Sequence, residues 1–292
     1  MTPPDNAPAL LREIAEAVAA EAAAFVRNRR AEVFGTRNGG TNSAVRAKTT
    51  PTDPVTVVDT ETENLVRDRL ARRRPDDLIL GEEGGGPSDL TSDLTGDAGN
   101  TVVWVLDPID GTVNFVYGIP AYSVSIGAQV GGVSVAGAVA DVVAGRVYSA
   151  AVGLGAHVTD EHGRHPLRCT DVQDLSMALL GTGFGYSPPR RAHQAALLAR
   201  MLPVVRDVRR IGSAALDLCM VAEGRLDAYY EHGLQVWDGA AGALIAAEAG
   251  ACVVLPPPDG DGAGLVLAAA PGIADQLLAA LGEFGGLDPI PD

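Results

Sequence analysis

The chain has 292 residues, 47% hydrophobic and 20% charged, and its 37 Asp and Glu against 22 Lys and Arg leave a formal net charge of −15. That composition supports one large core or two smaller ones and excludes a largely disordered chain, while the acidic balance excludes general affinity for nucleic acid or an anionic membrane, both bound through clustered positive charge. Three cysteines without a C-x-x-C pair (Cys169, Cys219, Cys252), no basic-then-apolar leader, and no stretch near the ~20 apolar residues of a membrane span predict a soluble protein of the reducing cytoplasm.

From Asn6 to Phe34, the positions Leu10, Leu11, Ile14, Val18, Ala22, Phe25 and Val26 recur every three or four residues and predict a long amphipathic helix, capped by Asp5 or Asn6. The segment Gly35 to Val45, rich in Gly, Asn, Thr and Ser, reads as a loop or hairpin tip. A short strand at Val55 to Val58 then runs into Asp59 and a second helix. Leu65, Val66 and Leu70 give that helix its apolar stripe, and five arginines crowd its far end, where the helix dipole favours cations. Asp59, with Thr62 and Glu63 behind it, is either a helix cap or a functional carboxylate. Leu78 to Leu80 form a strand ending in G-E-E-G-G-G, whose glycines let the backbone bend and bring Glu82 and Glu83 to the strand end. An exposed acidic turn would look similar. Pro87 to Asn100 is a polar, acidic loop.

Next comes W-V-L-D-P-I-D-G-T-V-N-F, from Trp104 to Phe115. Val102 to Leu106 make a buried strand that should stop at Asp107, because Pro108 lacks an N–H. Asp107 and Asp110 then share a tight turn, followed by Gly111 and Thr112, whose N–H groups are free to face an anion. The turn is a place for a cation beside a phosphate, or an ordinary Asp-Pro, Asp-Gly turn. Tyr122 to Val130, Val133 to Val143 and Arg146 to Val152 predict an antiparallel meander, and two more short strands flank the turn from Asp160 to Gly163. His157, His162 and His165 in this region have no supporting carboxylate or Cys spacing and read as hairpin histidines, not metal ligands.

The second half alternates. A strand at Leu179 to Gly181, a helix from Pro189 to Leu202, a strand at Val204 to Arg209, a helix from Gly212 to Glu223 and a strand at Ala228 to Glu231 are expected. A further helix begins at Asp238, with Gly239, Ala240, Ala241 and Gly242 small enough for close packing; Asp238 is an N-cap or a metal ligand. Strands at Cys252 to Leu255 and Leu265 to Ala270 and a helix from Ile273 to Leu281 close the chain.

Asp59, Glu83, Asp107, Asp110 and Asp238 each fall at a junction between elements, and elements of one sheet ending on a shared edge would bring them together. Two carboxylates about 4 Å apart repel by roughly 4 kcal/mol at an effective dielectric near 20, which divalent cations would relieve. Oxygen-only ligands select hard ions such as Mg²⁺, which readily bridges a substrate phosphate.

The motifs K-T-T-P-T-D-P-V-T-V-V-D, G-E-E, W-V-L-D-P-I-D-G-T-V-N-F, R-R-I-G-S-A-A-L-D-L and Y-Y-E-H-G-L-Q-V-W-D-G-A-A-G follow one another in an order and spacing that resembles the inositol monophosphatases. These belong to the lithium-sensitive, Mg²⁺-dependent phosphatase superfamily, and the likeness is greatest to their actinobacterial inositol-1-monophosphatase branch. The resemblance implies an α/β (α+β) fold, a layered αβαβα sandwich, with residues 1–170 as a mainly antiparallel half bearing most metal ligands and 171–292 supplying Asp238 and the alcohol pocket. It implies two or three Mg²⁺ ions per site: Glu83, Asp107 and the Ile109 carbonyl hold one, and Asp107, Asp110 and Asp238 a second. Asp59, Glu83 and Thr112 would orient the attacking water, and Gly111 and Thr112 would give N–H groups to the phosphate. Arg209, Gly212, Ser213, Ala214 and Glu231 match the sugar-alcohol side, and Lys48 matches a lysine on a loop that closes near the metals. Gln235 and Val113 depart from the family's usual residues, the first where selectivity is set.

The expected activity is hydrolysis of myo-inositol 1-phosphate and related small phosphate monoesters by in-line attack of an activated water, with no protein nucleophile. A small phosphorylated polyol is the expected partner, with no direct nucleic-acid or membrane contact and a homodimeric state. The alternatives are a sibling specificity (fructose 1,6-bisphosphate, histidinol phosphate or a 3′-phosphonucleotide) and a regulatory binding protein on the same fold.

Overall fold

The computed structural model describes residues 6–35, 45–48, 54–86, 101–256 and 264–290. The expected loop at 87–100, most of that at 35–45, and the proposed cap Asp5 lie outside these residues.

Helix α1 spans Pro8–Phe34 and buries Leu11, Ala15, Val18, Ala19, Ala22, Ala23 and Val26. The four alanines keep that face thin, so the helix lies close against the sheet. Its N-cap is Ala7, with Pro8 at the first helical position. Asn6 does not cap it: the Asn6 side-chain oxygen accepts from Arg74 Nη2 at 2.6 Å. A two-stranded antiparallel ribbon follows, β1 (Val45–Ala47) with β2 (Pro54–Thr56). Helix α2 (Val57–Arg73) starts two residues before Asp59, because Thr56 is its N-cap and Asp59 its third residue, paired in a capping box.

Seven strands make the first sheet, in the order β3-β4-β5-β6-β7-β8-β9: Leu78–Gly81, Val102–Asp110, Ser123–Val130, Val133–Asp141, Arg146–Ala151, Ala156–Asp160 and Gly163–Pro166. Only β3 and β4 pair in parallel; the others form the antiparallel meander. All nine residues of β4 are buried, and Trp104 Nε1 donates to Asp77 at 2.8 Å. The strand does not stop at Asp107. It runs to Asp110 with a register shift between Asp107 and Asp110, so Pro108 falls where the ladder to β5 is interrupted and its missing N–H costs nothing. A six-residue helix, α3 (Thr112–Tyr117), follows directly.

The second sheet has the order β11-β10-β12-β14-β13, from Asp207–Arg209, Leu179–Thr182, Ala228–His232, Leu265–Ala269 and Cys252–Val254. β10 is parallel to both its neighbours, and β14 is antiparallel to both of its own. Strand β11 is shorter than expected because Leu202–Val204 is a 3₁₀ turn after α4 (Pro188–Met201). Helices α5 (Ala214–Ala222) and α6 (Val236–Glu248) lie between the two sheets, and α7 (Ala274–Phe284) closes the far face.

The layers run α1 and α2, first sheet, α5 and α6, second sheet, then α4 and α7, each joined to the next by buried apolar side chains. This is the expected αβαβα sandwich. The small residues of α6 set the middle spacing: a β-carbon on Gly127 of β5 would stand 2.9 Å from Ala240 Cβ, and one on Gly137 of β6 3.0 Å from Ala241.

Candidate active site

The carboxyl end of β4 opens into a cavity of about 720 Å³. Its walls come from both sheets: Glu82 after β3, Asp107 and Ile109 to Thr112 from β4 and α3, Gly212 to Ala214 before and into α5, Glu231 from β12, and Gln235, Trp237 and Asp238 at the start of α6. The acids therefore converge from the edges of two sheets and the helices between them, and not from one sheet as expected.

Asp107 is 2% exposed, and its Oδ1 accepts the Ile109 N–H at 3.0 Å. Burial pushes its carboxyl well above the usual range, and the charges of Glu82, Asp110 and Asp238 add to that, while Lys48 opposes it. Asp238, third residue of α6, accepts the Gln235 N–H at 2.7 Å and so caps its helix while lining the cavity. Burial, then Asp110 and Glu82, push it well up as well.

Asp110 has a second task that the sequence reading did not contain. Its carboxylate rests on the N-terminus of α5, accepting from Ala215 N at 2.8 Å and Ala214 N at 3.3 Å and from the Ser213 hydroxyl, so a β4 side chain anchors the helix that separates the sheets. Burial still raises its pKa against those hydrogen bonds.

Asp59 does not reach the cavity wall. It is fully buried beneath it, accepting from Thr56 N at 2.9 Å, with the Thr112 hydroxyl 3.2 Å from its Oδ1. That hydroxyl donates to the Ile109 carbonyl at 2.9 Å. Burial lifts Asp59 to about 7, opposed by the hydrogen bonds from Thr56 and helped by Glu83 and Glu82. Asp59 and Thr112 thus meet across 53 residues of sequence.

Two expected residues give way to their neighbours. Glu82, not Glu83, lines the cavity, because the Glu83 backbone N–H is drawn to Glu63 at 2.8 Å while the Glu82 N–H donates to the Leu106 carbonyl within β4. Both glutamates hold Lys48, at 2.7 and 2.5 Å; burial would lower the lysine pKa, but the two carboxylates outweigh it and raise it. Likewise Arg210 lines the cavity and Arg209 does not. Arg209 is the last residue of β11 and pairs outside with Asp207 at 2.7 Å.

Gly111 (φ 93°) has no room for a side chain, since a β-carbon would lie 3.0 Å from the carbonyls of Ala121 and Gly212. Asn114 ties this corner together by donating to Ala121 and Ile211 at 2.8 and 2.9 Å. Glu231 accepts from the Tyr229 hydroxyl, and its carboxyl rests against Gly183, where any β-carbon would collide with it. Burial pushes Glu231 up to about 7, against the pull of Tyr229 and Arg210. Gln235 is on the wall, as its position suggested, and Lys48, Arg190 and Arg210 are the cations there. The 183–188 segment and Arg190 were missed; no motif marks them, and they reach the site only through the parallel placement of β10 beside β12.

The donor set is oxygen only, and the charges of Glu82 and Asp110 push up the carboxyls of both Asp107 and Asp238, which fits a hard divalent cation. Among the described residues no three of Asp, Glu, His and Cys stand together as a ready-made metal site. Mg²⁺ does not need one, since each ion takes one or two carboxylates and keeps waters or a substrate phosphate for the rest, so several ions can share these acids.

A sequence model of the inositol monophosphatase family matches residues 8–284. The chain is 75% identical over 295 residues to the inositol-1-monophosphatase of Mycobacterium leprae and 74% over 294 to the inositol-1-monophosphatase SuhB of Mycobacterium tuberculosis, with 100% of both chains covered in each case. The solved structure of Mycobacterium tuberculosis SuhB superimposes with a TM-score of 0.81 and 68% identity, over 97% of this chain and 100% of that one. A relative from Pasteurella multocida, named Nus factor SuhB, is 38% identical over 77% of this chain and 81% of its own.

Proposed function

The chain belongs to the inositol monophosphatase family, and from that premise we propose that it is a Mg²⁺-dependent phosphatase whose preferred substrate is myo-inositol 1-phosphate. The observation that carries the proposal is the meeting of Glu82, Asp107, Asp110 and Asp238 around one cavity with Gly111 and Thr112 beside them.

Glu82, Asp107, Asp110, Asp238 and the Ile109 carbonyl are the groups that would hold Mg²⁺, with Glu82 in the role first given to Glu83. When bound, the ion supplies charge for the attacking and leaving oxygens and makes water a usable nucleophile near neutral pH. Thr112, on the cavity wall, is the group that would orient the attacking water, and Asp59, buried behind it, acts through the Thr112 hydroxyl 3.2 Å away. Gly111 and Thr112 offer N–H groups to the phosphate. Glu231 and Arg210 face the leaving alcohol, with Ser213 and Ala214 holding Asp110 in place beside it. Gln235 touches the same space and bears on which alcohol fits. Lithium sensitivity, a homodimeric state and a cytoplasmic location go with this reading. No helix among the described residues is long and apolar enough to cross a membrane.

Phosphate release from myo-inositol 1-phosphate, fructose 1,6-bisphosphate, histidinol phosphate and a 3′-phosphonucleotide under one set of conditions tests the choice of ester. Inositol 1-phosphate should have the highest kcat/KM. A higher value for another ester would replace the substrate while leaving the reaction class.

A further inference from the structure

Glu63 is a carboxylate for which the proposed chemistry has no use, and its side chain is only 3% exposed. It projects from α2 into the turn that follows β3. One oxygen accepts the Gly84 N–H and Arg67 Nε, each at 2.8 Å, and the other accepts the Glu83 N–H at 2.8 Å. Arg67, one helical turn on, also donates from Nη2 to the Gly85 carbonyl. Helix α2 therefore grips the turn by two N–H groups and one C=O.

The turn's glycines are shaped to this grip. A β-carbon on Gly81 would stand 2.4 Å from a Glu63 oxygen, and one on Gly84 2.7 Å from it. The turn carries Glu82 into the cavity and is closed by backbone bonds from Gly81 to Gly85 and from Glu82 to Leu106, at 3.0 and 3.1 Å. Charge-assisted bonds from a buried carboxylate to backbone N–H groups are strong and directional. Groups that orient a metal ligand without touching the metal govern affinity for it.

We propose that Glu63, itself steadied by Arg67, is a positioning residue that sets the turn from Gly81 to Gly85 so that Glu82 is presented to a divalent cation in the cavity. The proposal rests on the Mg²⁺ assignment above. In Glu63→Gln one acceptor oxygen becomes an NH₂ group facing a backbone N–H, so the turn must shift.

Calorimetric titration of Mg²⁺ into the wild-type protein, Glu63→Gln and Arg67→Lys, with steady-state rates measured in parallel, tests it. Glu63→Gln should weaken Mg²⁺ binding about 10-fold or more while kcat at saturating Mg²⁺ stays within about 2-fold. Arg67→Lys should shift the Mg²⁺ Kd in the same direction by less, and it carries the test if Glu63→Gln does not fold. An unchanged Mg²⁺ Kd in the folded variants, with wild type binding normally, overturns the positioning role alone. A wild type that binds no Mg²⁺ overturns the metal assignment and this proposal with it.

Discussion

At the scale of single residues, neighbours of the same kind have separate fates. Glu82 and Glu83 are chemically alike and both touch Lys48, yet only Glu82 lines the cavity. Glu82→Gln should therefore cut the rate at subsaturating Mg²⁺ by about 10-fold or more, and Glu83→Gln by much less; equal losses would restore the two to equal standing. Glu231 makes a pH prediction. Burial disfavours its charge and pushes its carboxyl from the ordinary 4.5 up to about 7. Such a raised group contributes stability that is full below the unfolded value and lost as pH rises through the folded one. Melting curves should place Glu231→Gln level with wild type near pH 4.5 and a few degrees above it, about 3 °C or more, at pH 8. A constant gap across that range would show that Glu231 is not held neutral by its surroundings.

At the scale of elements, the close contact between α6 and the first sheet depends on two residues without side chains. Gly137 faces Ala241, with 3.0 Å between its absent β-carbon and the helix. Gly137→Ala should cost about 1–3 kcal/mol by overpacking, read from urea unfolding, and a neutral result would mean that α6 gives way freely. Contiguous parts of the site were legible in the sequence: Asp107, Asp110, Gly111 and Thr112 fall within six residues, and a β-branched run before a proline announces their strand. The packing glycines and alanines of α6 were legible too, from their size. Illegible were the parts decided by distant partners. Glu82 rather than Glu83 follows from Glu63 on α2, 20 residues away, and the seat of Asp110 on α5 joins residues 103 to 105 apart. The strand end was misplaced because Pro108 sits in a bulge, where the rule against proline in central strands does not apply.

At the scale of the whole molecule, five layers bring the ends of two sheets to one cavity, which the helices between them also line. A chain with a net charge of −15 concentrates Lys48, Arg190 and Arg210 at that cavity, and the proposed function leaves its carboxylate side to a cation. The measurement that goes most directly to this point is the initial rate of phosphate release from myo-inositol 1-phosphate as Mg²⁺ is titrated from an EDTA-treated start. The rate should be absent in EDTA and rise to saturation with Mg²⁺. Turnover that persists undiminished without divalent cation would contradict the assignment of these carboxylates.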